Sequence, residues 1–251
     1  MNNKIALITG GSRGLGKSSA LHLAKHGINV IITYNTKKED AENVVSEIQK
    51  MGLKSNAIQL NISKFSAIDP FIKDFNSVLQ SWGVTNFDYL INNAGIGATI
   101  PFSKVTEEDF DNFCNIHFKG VYFLTQKLLN NINDNGRIIN VSSGTTRFCV
   151  PGYSVYASMK GAIEVFTRYL AKDLGSKGIT VNVLTPGPVE TDFNNASIRN
   201  NPQMKGFLAQ STALGRVGES DDIGKILPFL CSEDSQWING QRIEASGGIN
   251  L

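Results

Sequence analysis

Short runs of Val, Ile, Leu and Tyr recur along the 251-residue chain, and between them lie longer stretches in which apolar residues return every three or four positions. Runs of the first kind read as strands and the longer, 3.6-periodic stretches as helices. Strands are predicted at 4–9 (KIALIT), 29–34 (NVIITY), 56–60 (NAIQL), 89–93 (YLINN), 137–142 (RIINVS), 180–185 (TVNVLT) and 241–245 (QRIEA). Helices are predicted at 14–26, 37–51, 64–81, 106–131, 153–177 and 219–232. Regular alternation of strand and helix is the pattern of a parallel sheet joined by right-handed crossovers. Several strands carry Val and Ile at successive positions, as expected when both faces of a sheet are covered. The expected architecture is α/β: one domain over 1–251, with a doubly wound, mainly parallel sheet of seven strands and helices on both faces. The stretch 186–218, broken by Pro, Gly and Asn, is predicted to be an irregular substrate loop.

Composition narrows the function more by exclusion than by assertion. Hydrophobic residues make up 41% of the chain, enough for a sizeable core, and the formal net charge is only +2. No basic run is dense enough to track a phosphate backbone, so nucleic acid and anionic membrane are not expected as partners. No apolar stretch approaches the length of a transmembrane helix. Three scattered cysteines, Cys114, Cys149 and Cys231, form no disulfide framework, and the N-terminal residues lack a signal-peptide pattern; a cytoplasmic location is expected. His22 and His26 share a helix face, but without a third ligand no metal site is expected.

The first chemical signal is TGGSRGLG, which ends the first strand and opens the first helix. Gly10, Gly14 and Gly16 permit a tight turn and close backbone approach at a helix N-terminus, where a pyrophosphate meets free N–H groups. Taken alone, a glycine triplet is a weak signal, with an ordinary strand-to-helix turn as the lesser alternative. Five further elements follow: NNAG at 92–95, Asn115 in the fourth helix, Ser143 ending the fifth strand, Tyr156 with Lys160, and PGPVET at 186–191. With the spacing TGxxxGxG, this order over nearly the whole chain resembles the short-chain dehydrogenase/reductase family. The resemblance implies a Rossmann-like fold and hydride transfer between a nicotinamide cofactor and a carbonyl or alcohol.

Tyr156 and Lys160, in SVYASMKG, lie four apart in a helical segment and therefore on one face. Tyr34 and Lys38 repeat the spacing, but across the end of a strand, where no helical face is shared. An isolated pair of this kind is more often a packed aromatic beside a surface lysine. Together with the other elements it reads as an acid and its tuning cation, because a nearby ammonium favours the phenolate and lowers a pKa that is ordinarily about 10. The resemblance implies that Tyr156 gives a proton to the carbonyl oxygen, that Lys160 lowers its pKa and holds the nicotinamide ribose, that Ser143 hydrogen-bonds the substrate oxygen, and that Asn115 organises a proton relay near the lysine. Ser142 is expected to be structural, on the opposite side of the strand from Ser143. His117 is assigned to packing or the surface.

The resemblance also implies cofactor contacts from Ser12 and Leu15 in the glycine turn, Asn61 and Ile62 near the adenine, and Asn93, Ala94 and Gly95 after the fourth strand. Pro186, Gly187, Val189 and Thr191 are implied at the nicotinamide. Asn61 stands where many relatives carry Asp, and EASGG at 244–248 departs from a frequent VDGG-like ending. An acidic residue at the end of the second strand favours NAD, and a basic residue nearby favours NADP. Here Tyr34 holds the position of that acid, with Asn35 and Thr36 as further donors, and Arg13 lies in the glycine turn, so NADP(H) is expected.

The expected reaction is reduction of a ketone or aldehyde to an alcohol by NADPH. ALGRVGESDDIG at 213–224 resembles segments of 3-oxoacyl-acyl-carrier-protein reductases, which keeps an acyl-thioester substrate open. A redox sensor that binds dinucleotide without catalysis is the remaining alternative, and the full catalytic set argues against it. Phe148, Val150 and Phe193 point to an apolar component in the substrate pocket, or equally to loop anchoring. The apolar excess in FDNFCNIHFKGVYFLTQKLL points to a homo-oligomer, with a tetramer favoured.

Overall fold

A computed structural model describes residues 4–251. Among them, seven strands form one parallel sheet in the order β3-β2-β1-β4-β5-β6-β7. The strands are β1 (Ile5–Ile8), β2 (Asn29–Tyr34), β3 (Ser55–Gln59), β4 (Phe87–Asn92), β5 (Ile132–Val141), β6 (Thr180–Pro186) and β7 (Arg242–Ala245). The chain runs outward from β1 to β3, then returns to place β4 on the other side of β1. The β1/β4 boundary is therefore the switch point, where two loops diverge and leave a crevice at the carboxyl ends of the strands.

The patterning explains why the sheet is covered twice. In β1, Ile5 and Leu7 join a core with Ile31, Phe71, Phe75, Leu124 and Ile163, while Ala6 and Ile8 join a second core with Ile32, Leu23, Val44 and Leu227. The first core is closed by α3 (Ile68–Ser81), α5 (Gly120–Leu128) and α6 (Ser154–Leu174). The second is closed by α1 (Gly14–Lys25), α2 (Lys38–Gln49) and two short C-terminal helices. With apolar residues on both faces, neither side of β1 can be turned to water without exposing a core.

Three predicted segments differ in detail. The helix predicted over 106–131 begins at α4 (Glu107–Cys114), whose Thr106 and Asp109 form a reciprocal capping box. It then widens into a π turn over Asn115–Lys119 before α5. The cause is local: Gly120 N–H reaches back five residues to the Asn115 carbonyl, and Gly120 packs directly under the Ile62 carbonyl. The helix predicted over 219–232 is two helices, α9 (Ser220–Gly224) and α10 (Leu227–Cys231), since Pro228 brings no N–H and Gly224 is pressed onto Ser18.

The irregular stretch 186–218 holds a short distorted turn, α7 (Phe193–Ala196), and a regular helix, α8 (Pro202–Gln210). Asn201 caps α8 by accepting from Met204 N–H at 2.9 Å, with Pro202 in its first turn. That Asn-Pro start signal was visible in the sequence and was outweighed by the surrounding Pro, Gly and Asn.

Gly120→Ala should destabilise the protein by about 1–3 kcal/mol, because the added methyl has no space beside two carbonyl oxygens. Urea unfolding measures this, and an unchanged midpoint would show that the π turn relaxes freely.

Candidate active site

The glycine turn is built for close approach. Gly10 and Gly14 have φ of 67° and 54°, a region that side chains rarely adopt. A Cβ at Gly16 would overlap the Gly10 carbonyl and reach the Asn93 amide. The turn is tied to the loop after β4: Asn93 Nδ2 donates to the carbonyls of Thr9 at 2.9 Å and Gly10 at 3.2 Å. Thr9 Oγ1 accepts from Asn93 and Ala94 N–H, both at 3.0 Å. Asn93 thus acts as a brace, and Asn92 lies behind it in the sheet. Ser12 is half-buried, Arg13 is exposed and Leu15 packs into the core below. The first turn of α1 has no acidic residue, so its N–H groups and positive end face the crevice without competition.

At the rim, Tyr34 ends β2 half-buried, with Asn35 and Thr36 exposed beside it. Asn61 Oδ1 accepts from both Ser63 N–H, at 3.1 Å, and Ser63 Oγ, at 2.7 Å, which leaves its NH₂ as the free donor. Ile62, next to it, is buried beneath Gly120. Across the turn, Thr191 is buried and lies against Gly14, a Cβ on which would stand 3.7 Å from the threonine side chain. Pro186 ends β6, Gly187 N–H bonds the Ala245 carbonyl at 3.1 Å, and Val189 bridges to Gly218. The three loops therefore converge on one crevice.

Tyr156 and Lys160 project together from the first half of α6, and both are buried. Lys160 Nζ donates to the Val141 carbonyl at 2.8 Å and stands 5.7 Å from the centre of the Tyr156 ring. Burial pushes the phenol up to about 12, with the Ser143 hydroxyl pulling the other way, and it pushes the ammonium down to about 8. The phenol is thus raised by burial, where the sequence led us to expect a pKa lowered by the lysine charge. Tyr34 and Lys38 behave as the sequence implied, one ending β2 and the other opening α2.

Ser143 follows β5 and accepts from Thr145 N–H at 3.3 Å and Thr145 Oγ1 at 3.0 Å. Ser142 turns the other way and donates to Glu164 at 2.8 Å, as strand alternation requires. Behind them runs a buried ladder missed in the sequence: Asn92 Nδ2 donates to Asn140 Oδ1 at 2.8 Å and Asn140 Nδ2 to Thr167 Oγ1 at 2.8 Å. An Asn within an apolar strand was the available signal.

Asn115 lies in the same π turn as His117. Phe113 and His117, one turn apart, stack at 5.6 Å, and both meet Tyr156 edge-on, at 6.4 and 5.2 Å between ring centres. Asn115 lies two positions from each, so its side chain leaves the opposite side of the helix. Among the described residues no hydrogen bond joins it to Ser143, Tyr156 or Lys160. His117, assigned to packing or the surface, is 1% exposed and packs directly against Tyr156.

The distorted turn at 193–196 closes the outer side. Phe193 stands 6.0 Å from Tyr156, and Asn194 donates to the Tyr153 hydroxyl at 2.9 Å. Asn194, Asn195 and Ala196 have φ of 51°, 57° and 55°. Phe148 lies under the Arg147 guanidinium, 5.3 Å from its ring centre, and Val150 is exposed.

The buried lysine makes a pH prediction. Folded Lys160 loses its proton near 8 and unfolded lysine near 10.5, so the unfolded chain binds more protons in that window and stability rises with pH across it. The stability of wild type relative to Lys160→Met should therefore improve between pH 8 and 10.5, by up to ~3 kcal/mol. Urea melts across this range test it, and a pH-independent difference would contradict the depressed pKa.

A family model described as enoyl-(acyl carrier protein) reductase matches residues 10–250. The hydroxynaphthalene reductase-like protein Arp2 of Metarhizium anisopliae is 38% identical over 257 residues, covering 98% of this chain and 94% of that protein. A short-chain dehydrogenase/reductase of Pestalotiopsis microspora is 36% identical, covering 99% and 96%. Among solved structures, the angucycline C-6 ketoreductase LanV with bound NADP superposes with a TM-score of 0.94 at 36% identity, covering 99% of this chain and 96% of that one. The promiscuous reductase LugOII, which catalyses keto-reduction at C1 during lugdunomycin biosynthesis, gives 0.93 at 34% identity, covering 98% and 96%. Matched along nearly its whole length, and with a glycine cradle opening onto a buried tyrosine and lysine, this chain belongs to the short-chain dehydrogenase/reductase family.

Proposed function

We propose that the chain is an NADPH-dependent ketoreductase whose substrate is a ring ketone of a flat, polycyclic aromatic or polyphenolic compound. The observation that carries this reading is the buried Tyr156, with Lys160 behind it and Ser143 beside it, at the crevice formed by the loops after β1, β4 and β6.

The chain's own residues fit the cofactor. A glycine at position 16 leaves room that a Cβ would fill, at the N-terminus of a helix without acid in its first turn. Gly10, Ser12, Gly14, Leu15 and Gly16 would hold the pyrophosphate. Arg13, with Asn35 and Thr36 near Tyr34, would take a 2′-phosphate, and no carboxylate ends β2 to repel it. Asn61 and Ile62 would flank the adenine. Asn93, Ala94, Gly95, Pro186, Gly187, Val189 and Thr191 would line the nicotinamide end, and Tyr156 and Lys160 its ribose. Bound there, NADPH supplies the hydride.

The protein's part is the proton. A phenol held up to about 12 remains protonated across the working range, as a donor must be. Tyr156 Oη gives its proton to the carbonyl oxygen, Ser143 hydrogen-bonds the same oxygen, and the Lys160 cation stabilises the phenolate that results. A ring ketone is favoured by the aromatic walls of Tyr153 and Phe193, each 6.0 Å from Tyr156 between ring centres. The names of the hydroxynaphthalene reductase-like relative and of the C-6 ketoreductase point the same way. A role limited to sensing dinucleotide has no use for a buried proton donor.

The protein also leaves Tyr122, Val165 and Tyr169 exposed on α5 and α6, which supports a homo-oligomer, as a tetramer.

Tyr156→Phe should lower kcat for a bicyclic aromatic ketone by about 10²- to 10⁴-fold while NADPH binding persists. Steady-state kinetics and NADPH fluorescence titration test this, and near-normal turnover would end the proposed mechanism. In the same assay kcat/KM should be higher with NADPH than with NADH, and higher for the ring ketone than for acetoacetyl thioesters. Preference for NADH, or for the thioester, would overturn the corresponding assignment. Analytical ultracentrifugation should give a mass near four chains, and a monomer at micromolar concentration would refute the assembly.

A further inference from the structure

The assignment of Tyr156 as proton donor leaves one buried titratable side chain in the site without a role. His117 is 1% exposed, lies in the π turn between α4 and α5, and meets the Tyr156 ring edge-on at 5.2 Å and 90°. Its Nε2 is 2.9 Å from the Ile96 carbonyl oxygen and 3.3 Å from the Ile96 N–H. A carbonyl oxygen can only accept, so the shorter contact places the ring hydrogen on Nε2 and leaves a lone pair on Nδ1. Nδ1 is buried and has no hydrogen-bond partner among the described residues.

Ring packing and the Ile96 bond account for only part of the imidazole. Phenylalanine would keep the stack on Phe113 and the edge contact with Tyr156 and lose the Ile96 bond, and neither the packing nor that bond uses Nδ1. The Cε1–Nδ1 edge of the ring faces Gly95, where an added Cβ would stand 2.8 Å from Cε1 and 3.3 Å from Nδ1. Gly95 itself is exposed and belongs to the loop that borders the crevice. The groups facing the ring are Tyr156 and the Lys160 ammonium from α6, the Phe113 ring from α4, and only backbone from 95–96. Burial and the Lys160 charge hold the imidazole pKa well below its usual value, so the ring stays neutral beside the cation.

We infer that His117 is a positioning residue of the catalytic site, hung on the Ile96 backbone by Nε2, steadying the Tyr156 phenol edge-on and presenting Nδ1 beside Gly95 as a neutral hydrogen-bond acceptor for the network that serves Tyr156 and Lys160. It takes the place that the resemblance gave to Asn115. His117 lies inside the π turn, on the same helix face as Phe113 one turn before it, while the Gly120 N–H is bonded to the Asn115 carbonyl. This inference rests on the reading of Tyr156 as proton donor, and the two fail separately. Near-normal turnover by Tyr156→Phe removes both, whereas an inactive Tyr156→Phe beside an unaltered His117 variant removes only this one.

The test replaces the ring without emptying the space. His117→Phe should reduce kcat about 10- to 100-fold with KM for NADPH nearly unchanged, the signature of lost alignment. It should also shift the alkaline limb of the kcat profile, which reports the titration of the catalytic pair in the bound complex. His117→Asn, which restores an amide acceptor, should recover most of the loss. Wild-type kcat and an unmoved limb in His117→Phe would overturn the inference, as would a larger loss of kcat in Asn115→Ala than in His117→Phe. A second measurement does not depend on whether the variant folds. In ¹⁵N-histidine-labelled wild-type protein, His117 should show a neutral ring with its proton on Nε2, and its Nδ1 resonance should move when NADP is added. A protonated ring, the opposite tautomer or an Nδ1 signal indifferent to NADP would equally overturn it.

Discussion

Asn140 lies in the middle of β5 with none of its surface exposed, and its amide joins three elements that would otherwise meet only through apolar contacts. It accepts from Asn92 on β4 and donates to Thr167 on α6, whose hydroxyl in turn donates to the Ile163 carbonyl at 2.9 Å. Apolar packing tolerates small sliding, but a buried amide does not, because each group left unpaired costs about 1–3 kcal/mol. The ladder therefore sets the position of α6 along the sheet. About two turns earlier on the same helix stands Lys160, anchored to the Val141 carbonyl, and about three turns earlier Tyr156. Polar pairing deep in the sheet thereby contributes to the placement of Tyr156.

A second constraint aligns the other half of the site. Thr9 and Asn93 cross-link the ends of β1 and β4 at the point where the strand order reverses. The glycine turn and the loop through Gly95 are consequently tied together, and His117 hangs from that loop by its bond to Ile96. The cofactor-facing turn, the imidazole and the phenol are thus linked through backbone and ring contacts from two independently braced sides. Desolvation is the electrostatic consequence, with the phenol raised, the ammonium lowered and the imidazole kept neutral. Which of these groups carries charge is decided by burial first and by neighbours second.

The extent of legibility in the sequence follows the range of the interactions involved. Strand positions followed from local apolar runs, and all seven lie within a few residues of the predicted bounds, apart from the earlier start of β5. The Gly10, Gly14 and Gly16 turn and the Tyr156–Lys160 face depend on spacing within one or two turns of chain, so counting residues was enough. The π turn did not follow from periodicity, because a single extra residue leaves the apolar pattern almost intact while rotating everything beyond it. Asn115 was implied by the family resemblance, an assignment that periodicity does not bear on. The start of α8 at Asn201-Pro202 was locally readable but masked by its surroundings.

What the sequence determined by itself was the α/β class, the order of elements, the glycine cradle and the pairing of a tyrosine with a lysine on one helical face. All of these arise from interactions between near neighbours in the chain. The tertiary structure decided which residue of the fourth helix faces that pair, that burial rather than the lysine charge sets the phenol's pKa, and that Asn92, Asn140 and Thr167 hold the helix in place. Those outcomes depend on groups far apart in sequence, on the water excluded when they meet, and on a one-residue widening of a helix, none of which periodicity records.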